Sequence, residues 1–283
     1  MGKFDHVLIA CDFDNTLVYT EEALHSGGEI PPVSPENRRA IEYFMAEGGT
    51  FCMSTGRALP AFRPLVAGIP MNGPSVLFNG AAIYDFFQEK YLATAFLPDQ
   101  IREHIHQLEA QMPNITYEIY HDDNSIFAVN PNDITVRHLH ITHSPTVTLS
   151  GIDEAPSPIS KLLFEEEPAR LEQLHTLLLR QPWIGSYEVV VSATSLLELT
   201  VKGANKGGMV RRLCALLGKD LSHTYCVGDH ANDIPMLKAA AIPFAPANAI
   251  ESVRAVPDIH LLPDCRENAV AAMIRELDSL YLH

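Results

Sequence analysis

The 283-residue chain lacks the features of membrane, secreted and nucleic-acid-binding proteins. Its N-terminal apolar run, His6–Cys11, is too short for a membrane span or a signal peptide, so we expect neither. Positive charge is scarce, since 20 Lys and Arg stand against 35 Asp and Glu and give a formal net charge of −15. This balance argues against a nucleic-acid partner and against an anionic membrane surface.

Cysteine is also sparse, and its spacing suggests no pairing. The five Cys are odd in number and form no Cys-x-x-Cys pair. Cys11, Cys52 and Cys226 lie in apolar, strand-like runs. Buried free thiols are typical of a reducing compartment, so we expect a cytoplasmic protein. A hydrophobic fraction of 47% is enough for a substantial core in one large domain or two smaller ones.

Strand and helix patterns alternate in the first and last thirds of the chain. A helix is predicted to start with Ser34 as N-cap and Pro35 in its first turn. The alternation predicts an α/β core, in which helices cover both faces of a parallel sheet. The strands predicted for this region are Val7–Cys11, Thr50–Met53, Ser75–Phe78, Leu196–Val201, Thr224–Val227, Ile242–Ala245 and Ile259–Leu262.

The middle of the chain breaks this alternation. Helices are predicted over Asp99–Gln111 and Pro168–Arg180, and the strand-like segments between and after them have an antiparallel pattern. We therefore expect an inserted α+β domain at 88–191, within a core formed by 1–87 and 192–283.

Two carboxylates stand two residues apart where the first strand is predicted to end. In extended geometry, Asp12 and Asp14 point to the same side. Two ionised carboxylates held together need a shared proton or a cation, and a hard divalent cation suits oxygen ligands. An Asp can also attack phosphorus and form an aspartyl-phosphate. The pair alone leaves these options open.

Three further polar segments complete a possible site. Ser54–Arg57 follows the second predicted strand, Lys206 opens a predicted helix, and Gly228–Asp233 follows the strand Thr224–Val227. Ligands of open parallel sheets bind at the carboxyl ends of the strands, so these segments can converge. Carboxylates that hold Mg²⁺, with a hydroxyl, an amide and a Lys facing phosphate oxygens, suit metal-assisted phosphoryl transfer.

In order and residue type, these segments resemble the motifs of the haloacid dehalogenase (HAD) superfamily of phosphohydrolases. The resemblance is closest to its Cof-like branch, which has a type IIB cap. Residues 78–81 resemble the Asn-Gly-Ala turn of that branch, and 228–237 resemble its fourth motif. Asn15 and His230 depart from the usual Gly and Asn at positions that carry no chemistry. The resemblance implies a Rossmann-like core and a mobile cap that closes over the substrate.

The resemblance also implies a role for each matching residue. Asp12 would be the nucleophile, and Asp14 the general acid and base. The residues implied to hold Mg²⁺ or its water are Asp12, Asp14 (through its carbonyl), Asp229 and Asp233. The residues implied to bind the phosphoryl group are Thr55, Gly56, Lys206 and Asn232.

The function implied is hydrolysis of small phosphate monoesters, with sugar phosphates as the first expectation and nucleotides or phosphorylated cofactors as others. The expected partner is a small phosphorylated metabolite, with no nucleic acid and no membrane, and the protein would be a monomer or a small homo-oligomer. Two alternatives stay open: a phosphomutase or phosphotransferase on the same site, and a phospho-accepting regulatory module. Asp14 argues against the regulatory module, because an acid–base group promotes turnover.

Several residues outside these motifs also carry expectations. His138-x-His140-x-x-His143 has possible metal-ligand spacing, but carboxylates are distant in sequence, so an exposed strand or helix is predicted. His121-Asp122-Asp123 is predicted to form a polar hairpin turn. We expect Arg57 to be an ion-pair partner, and Trp183 to serve in packing.

Overall fold

The computed structural model describes residues 2–121, 125–142 and 146–281. The chain divides into two compact units. The core unit comprises Met1–Arg57, Pro64–Ala93 and Lys206–His283, and the inserted unit comprises Ala58–Arg63 and Thr94–Asn205. Among the described residues, no helix is long and apolar enough to cross a membrane.

Strands and helices occur along the whole described chain. The strands are β1 (Leu8–Cys11), β2 (Thr50–Met53), β3 (Ser75–Leu77), β4 (Ala82–Asp85), β5 (Lys90–Thr94), β6 (Tyr117–His121), β7 (Ile126–Val129), β8 (Thr146–Leu149), β9 (Ile159–Glu165), β10 (Tyr187–Ala193), β11 (Leu196–Val201), β12 (Thr224–Val227), β13 (Ile242–Pro246) and β14 (His260–Leu262). The α-helices are α1 (Glu21–Ser26), α2 (Pro35–Ala46), α3 (Leu59–Val66), α4 (Ile101–Gln111), α5 (Asp133–Thr142), α6 (Pro168–Leu179), α7 (Lys206–Leu217), α8 (Ile234–Leu237), α9 (Glu251–Arg254) and α10 (Ala269–Leu280).

A five-stranded parallel sheet forms the centre of the core unit. Its strand order is β14-β13-β12-β1-β2. The central strands β1 and β12 are buried at every position, which explains why they read as continuous apolar runs. A second sheet, β3-β4-β5, contains the antiparallel pair β3 and β4, joined through the predicted Asn79-Gly80 turn. The predicted α/β class of the core is confirmed.

Helix α2 begins as the sequence predicted. The hydroxyl of Ser34 accepts a hydrogen bond from the backbone N–H of Asn37, and Pro35 occupies the first turn. The apolar face of the helix buries Ile41 and Phe44. The helix ends before Gly48, whose φ of 90° suits a residue without a side chain.

The inserted unit contains a six-stranded sheet of order β10-β11-β9-β6-β7-β8. All its pairs are antiparallel except β7 with β8, which are parallel. One face of the sheet contributes to an apolar core with α4 and α6. On β6, β9 and β11, the residues that alternate with this apolar face include buried polar side chains: Glu118, Tyr120, Lys161, Glu165, Glu198 and Thr200.

Some expectations about the fold were wrong. The strand at Leu196–Val201 was assigned to the parallel core, but β11 pairs antiparallel with β9 and β10 in the inserted unit. Four elements of the structure, α1, β5, β8 and α9, were not predicted. The division at 87/88 and 191/192 stays a prediction; the two units separate mainly at 93/94 and 205/206.

Candidate active site

Three polar segments follow neighbouring strands of the core sheet at the same edge. Cys11, the last residue of β1, is in register with Met53 of β2 and Val227 of β12. The backbone N–H of Asp12 donates to the carbonyl of Val227 at 3.0 Å, and that of Ser54 donates to Cys11 at 2.8 Å. Strand register therefore brings the first, second and fourth predicted motifs to one edge of the sheet.

Lys206 connects this edge to α7. Its ammonium is fully buried and donates to Asp12 Oδ1 at 2.6 Å and to Asp233 Oδ1 at 2.5 Å. The start of α7 can approach α8 because Gly207 has no side chain; a Cβ there would lie 2.2 Å from the carbonyl oxygen of Pro235. The structure thus brings the third predicted motif to the first and the fourth.

Asp233 organises the loop after β12. Its Oδ2 accepts hydrogen bonds from the backbone N–H groups of Asp229, at 2.9 Å, and His230, at 3.1 Å. Gly228 allows this arrangement, because a Cβ there would lie 2.4 Å from Asp233 Cγ. The hydroxyl of Thr16 donates to Asp229 Oδ1 at 3.1 Å. Both oxygens of Asp233 therefore accept hydrogen bonds, and Asp229 is oriented by Thr16, for which no role was predicted.

Three buried carboxylates form this cluster, and one ammonium contacts two of them. One oxygen from each of Asp12, Asp229 and Asp233 lies within 4.8 Å of the others. Burial and the neighbouring Asp233 raise the pKa of Asp12 well above its usual range and raise that of Asp229 to about 7. Burial alone would lower the pKa of Lys206, but Asp12 and Asp233 outweigh it and raise that pKa. The excess negative charge and the all-oxygen ligand set fit a hard divalent cation.

The carboxylate of Asp14 belongs to a different group of contacts. Arg57 donates to it twice, from Nε at 2.9 Å and from Nη2 at 2.7 Å, and the Thr20 hydroxyl donates at 2.7 Å. The extended geometry assumed for Asp12 and Asp14 ends after Asp12, because the chain turns there. Asn15 has a φ of 57°, a left-handed conformation that Gly and Asn adopt readily. The ion-pair role predicted for Arg57 is confirmed.

Thr55, Gly56 and Asn232 lie around Asn79. The buried Thr55 hydroxyl accepts from the backbone N–H of Arg57 at 3.1 Å. A Cβ on Gly56 would lie 2.8 Å from Asn79 Oδ1, and that same oxygen accepts from Asn232 Nδ2 at 2.8 Å. Asn232 Oδ1 is buried and has no hydrogen-bond partner among the described residues. Asn79 thus links the second and fourth motifs, a role that the Asn-Gly turn did not reveal.

The comparisons with known proteins agree with this geometry. Residues 9–274 match the sequence profile of haloacid dehalogenase-like hydrolases. The chain belongs to this family. This confirms the predicted HAD membership, and the protein is an enzyme of the phosphoric monoester hydrolase class.

Curated relatives and solved structures extend over nearly the whole chain. The chain is 24% identical over 282 residues to the HMP-PP phosphatase of Serratia proteamaculans, covering 97% of each. It is 24% identical over 289 residues to the 5-amino-6-(5-phospho-D-ribitylamino)uracil phosphatase YitU of Bacillus subtilis, covering 96% of this chain and 98% of that protein. The HAD subclass IIB sugar phosphatase BT4131 shares the fold, with a TM-score of 0.76, 20% identity, and coverage of 96% and 98%.

Proposed function

We propose that the protein is a Mg²⁺-dependent phosphatase that hydrolyses small phosphate monoesters through an aspartyl-phosphate on Asp12. The observation that supports this most is the position of Asp12: it is buried at a strand end, 2.6 Å from the Lys206 ammonium. A nucleophilic carboxylate needs compensating positive charge when an anionic phosphate approaches, and Lys206 supplies part of it.

Mg²⁺ would supply the rest of that charge and stabilise the transferring phosphoryl group. Asp12 and Asp229 would be its carboxylate ligands, and the backbone carbonyl of Asp14 would complete the protein's share. Asp233 already accepts hydrogen bonds at both oxygens. Its role would therefore be to orient Asp229 and water around the ion.

The chain's own residues would carry the two chemical steps. In the first, a carboxylate oxygen of Asp12 bonds to phosphorus while the bond to the alcohol oxygen breaks, and Asp14 gives that oxygen a proton. In the second, Asp14 takes a proton from the water that attacks phosphorus, which releases phosphate and restores Asp12. Arg57 and Thr20 hold the Asp14 carboxylate in position for both transfers.

The phosphoryl oxygens would be bound by donors on the second, third and fourth motifs. We propose that these donors are the Thr55 hydroxyl, the backbone at Gly56, the Lys206 ammonium and the Asn232 amide. Gly56 has no side chain between its backbone and the ligand, so an anion can approach closely.

The substrate would be a small phosphorylated metabolite, with sugar phosphates tested first. The relatives named above are phosphatases of HMP-PP, of a phosphoribitylamino-uracil and of sugars, so the leaving group varies among them. We propose that the domain inserted at 88–191 selects it. We also propose a cytoplasmic monomer or small homo-oligomer, with no nucleic-acid or membrane partner.

Hydrolysis of p-nitrophenyl phosphate by Asp12→Asn tests the proposal. We expect a loss of about 10³-fold or more in kcat, because the nucleophile is gone. Asp258→Asn is a matched control, since Asp258 is exposed and its φ of 58° suits Asn. In ¹⁸O-water, a phosphatase transfers label to the released phosphate, whereas a mutase or phosphotransferase leaves most of the phosphoryl group on an acceptor alcohol. An Asp12→Asn variant of unchanged activity would refute the proposal.

A further inference from the structure

The inserted unit contains a second buried cluster that the proposed phosphatase mechanism does not use. Glu118 lies opposite Leu163 in the β6–β9 pairing, so Glu165 is its diagonal neighbour on the same face of the sheet. His138 of α5 reaches both: its Nδ1 lies 3.3 Å from Glu118 Oε2 and 3.1 Å from Glu165 Oε1. One ligand-type atom from each residue lies within 4.8 Å of the others.

The carboxylates of this cluster are poorly compensated within the inserted unit. The side chains of Glu118 and Glu165 are both 0% exposed. The Tyr120 hydroxyl donates to Glu118 Oε2 at 2.7 Å. Both oxygens of Glu165 are buried and, apart from the ion pair with His138, accept no hydrogen bond from the described residues. The ammonium of Lys161, on the same face of β9, donates to Glu198 at 2.9 Å. One imidazole therefore faces two buried carboxylates, an arrangement that needs further positive charge.

The separations also suit a shared cation. Ligands about 2.0–2.2 Å from a tetrahedral Zn²⁺ lie about 3.3–3.6 Å from one another. The nitrogen-to-oxygen distances of 3.1 and 3.3 Å in this cluster are close to that spacing. An imidazole ligand favours Zn²⁺ and its first-row neighbours, whereas Mg²⁺ prefers oxygen alone.

We propose that Glu118, His138 and Glu165 form a binding site for a divalent transition-metal cation, for which Zn²⁺ is the test ion. The three ligands come from β6, α5 and β9, so a bound ion ties α5 to the sheet of the inserted unit. The site is separate from the Asp12–Asp229–Asp233 cluster in ligand chemistry and in structural unit.

Zinc binding to the chelator-stripped full chain tests this site. Zn²⁺ is titrated against a chromophoric chelator in excess Mg²⁺, so that the oxygen-only cluster is occupied. We expect one tight equivalent in the wild type, binding about 100-fold or more weaker in Glu165→Gln and His138→Gln, and no change in Asp229→Asn. His140→Gln is the matched control, because His140 is an exposed residue of the same helix.

Three results would overturn the proposal. The first is a wild type without a tight equivalent, which needs no variant and so does not depend on how the variants fold. The second is unchanged binding in folded Glu165→Gln and His138→Gln, which would make the cluster an ion pair only. The third is loss of the tight equivalent in Asp229→Asn, which would place the ion in the core unit. Circular dichroism checks the fold of each variant, and the Co²⁺ absorption spectrum of the wild type reports nitrogen coordination independently.

Discussion

The core unit and the inserted unit each bury a group of carboxylates, but they compensate the negative charge differently. In the core, Lys206 contacts Asp12 and Asp233, and the ammonium keeps its proton throughout the ordinary pH range. In the insert, the cation is His138, which can lose its charge. The core group lies at the carboxyl ends of strands, where ligands enter an α/β sheet, whereas the insert group lies on a sheet face under α5.

The position of a buried carboxylate in the fold therefore determines which groups can satisfy it and whether it can also bind a ligand. At a strand end, backbone N–H groups and a helix start are available, so Asp233 can hold a loop while Asp12 and Asp229 face a ligand. On a sheet face, the ladder already uses the backbone groups, and only side chains can satisfy Glu118 and Glu165. The first arrangement suits catalysis, and the second suits a fixed ion or an ion pair.

Removing the cation of the core cluster should have the largest effect. In Lys206→Met, three carboxylates remain without their ammonium, so the free energy of unfolding should fall by about 3–5 kcal/mol in chelator. Turnover should also be nearly abolished. Urea denaturation measures the first effect, with Lys202→Met as control, because Lys202 is exposed and pairs at the surface with Glu188. Equal stability losses in the two variants would show that the buried ammonium of Lys206 stabilises the protein no more than an exposed one does.

The Arg57–Asp14 pair should matter for turnover more than for stability. Arg57→Lys keeps the charge but cannot donate two parallel hydrogen bonds, so kcat should fall by about 10-fold to 10²-fold. Arg266→Lys is the control, because Arg266 makes the same two-point contact with Asp264 at the exposed surface. Unchanged kcat in Arg57→Lys would contradict the positioning role.

The contributions of the two clusters to the stability of the protein should be lost in different pH ranges. Burial and Asp233 raise the pKa of Asp229 to about 7, so the native state holds a proton that the unfolded state releases near pH 4. Without Mg²⁺, the free energy of unfolding should therefore fall as the pH rises from about 4 to 7. Burial opposes protonation of His138, but Glu118 and Glu165 raise its pKa to about 9. Its contribution is fully present below about pH 6.5 and is lost as the pH rises through 9.

Unfolding free energies of the wild type, Asp229→Asn and His138→Gln, measured from pH 4 to 9.5 in chelator, separate these windows. Each variant should remove only its own pH-dependent decrease, of about 1–3 kcal/mol. Added Mg²⁺ should reduce the pH dependence of the unfolding free energy between about pH 4 and 7 and leave the decrease at higher pH unchanged. A single window shared by all three proteins would contradict the distinction between the clusters.

The smallest predicted effect concerns backbone space near the phosphate donors. In Gly56→Ala, the new Cβ would lie 2.8 Å from Asn79 Oδ1, so the Asn79–Asn232 contact should shift and stability should fall by about 1–2 kcal/mol. Gly185→Ala in the insert meets nothing within 4 Å and should change stability by about 0.5 kcal/mol or less. Thermal unfolding compares the two. If the two variants unfold alike, the close approach at Gly56 has no energetic consequence.

The sequence allowed much of the core site to be predicted, because each motif directly follows a strand or opens a helix. Register then fixes where Asp12, Ser54 and Gly228 meet, without knowledge of side-chain packing. The bond from Thr16 to Asp229 and the role of Asn79 could not be predicted in this way. They depend on contacts across 213 and 153 residues, respectively.

The inserted unit was harder to predict for three physical reasons. An apolar run such as β11 has the same pattern in a parallel core and in an antiparallel sheet. Strand β8 has no fully buried residue, so little apolar alternation marks it. The helical alternative for His138 is confirmed, but its exposure was wrong, because Glu118 and Glu165 lie at distant positions in the chain. His143, Asp122 and Asp123 lie outside the described residues.

The nucleophilic role of Asp12 is tested most directly by mass spectrometry of acid-quenched protein. The Asp14→Asn variant should be used, with Mg²⁺ and p-nitrophenyl phosphate. Nitrophenolate can leave without receiving a proton, whereas the attack of water on the phosphoenzyme is slowed because Asp14 is absent. We predict that the peptide containing Asp12 gains the mass of one phosphoryl group, and that Asp12→Asn or Mg²⁺ removal abolishes this gain. Nitrophenolate release without any phosphorylated peptide, or with the phosphoryl group on another residue, would contradict the mechanism.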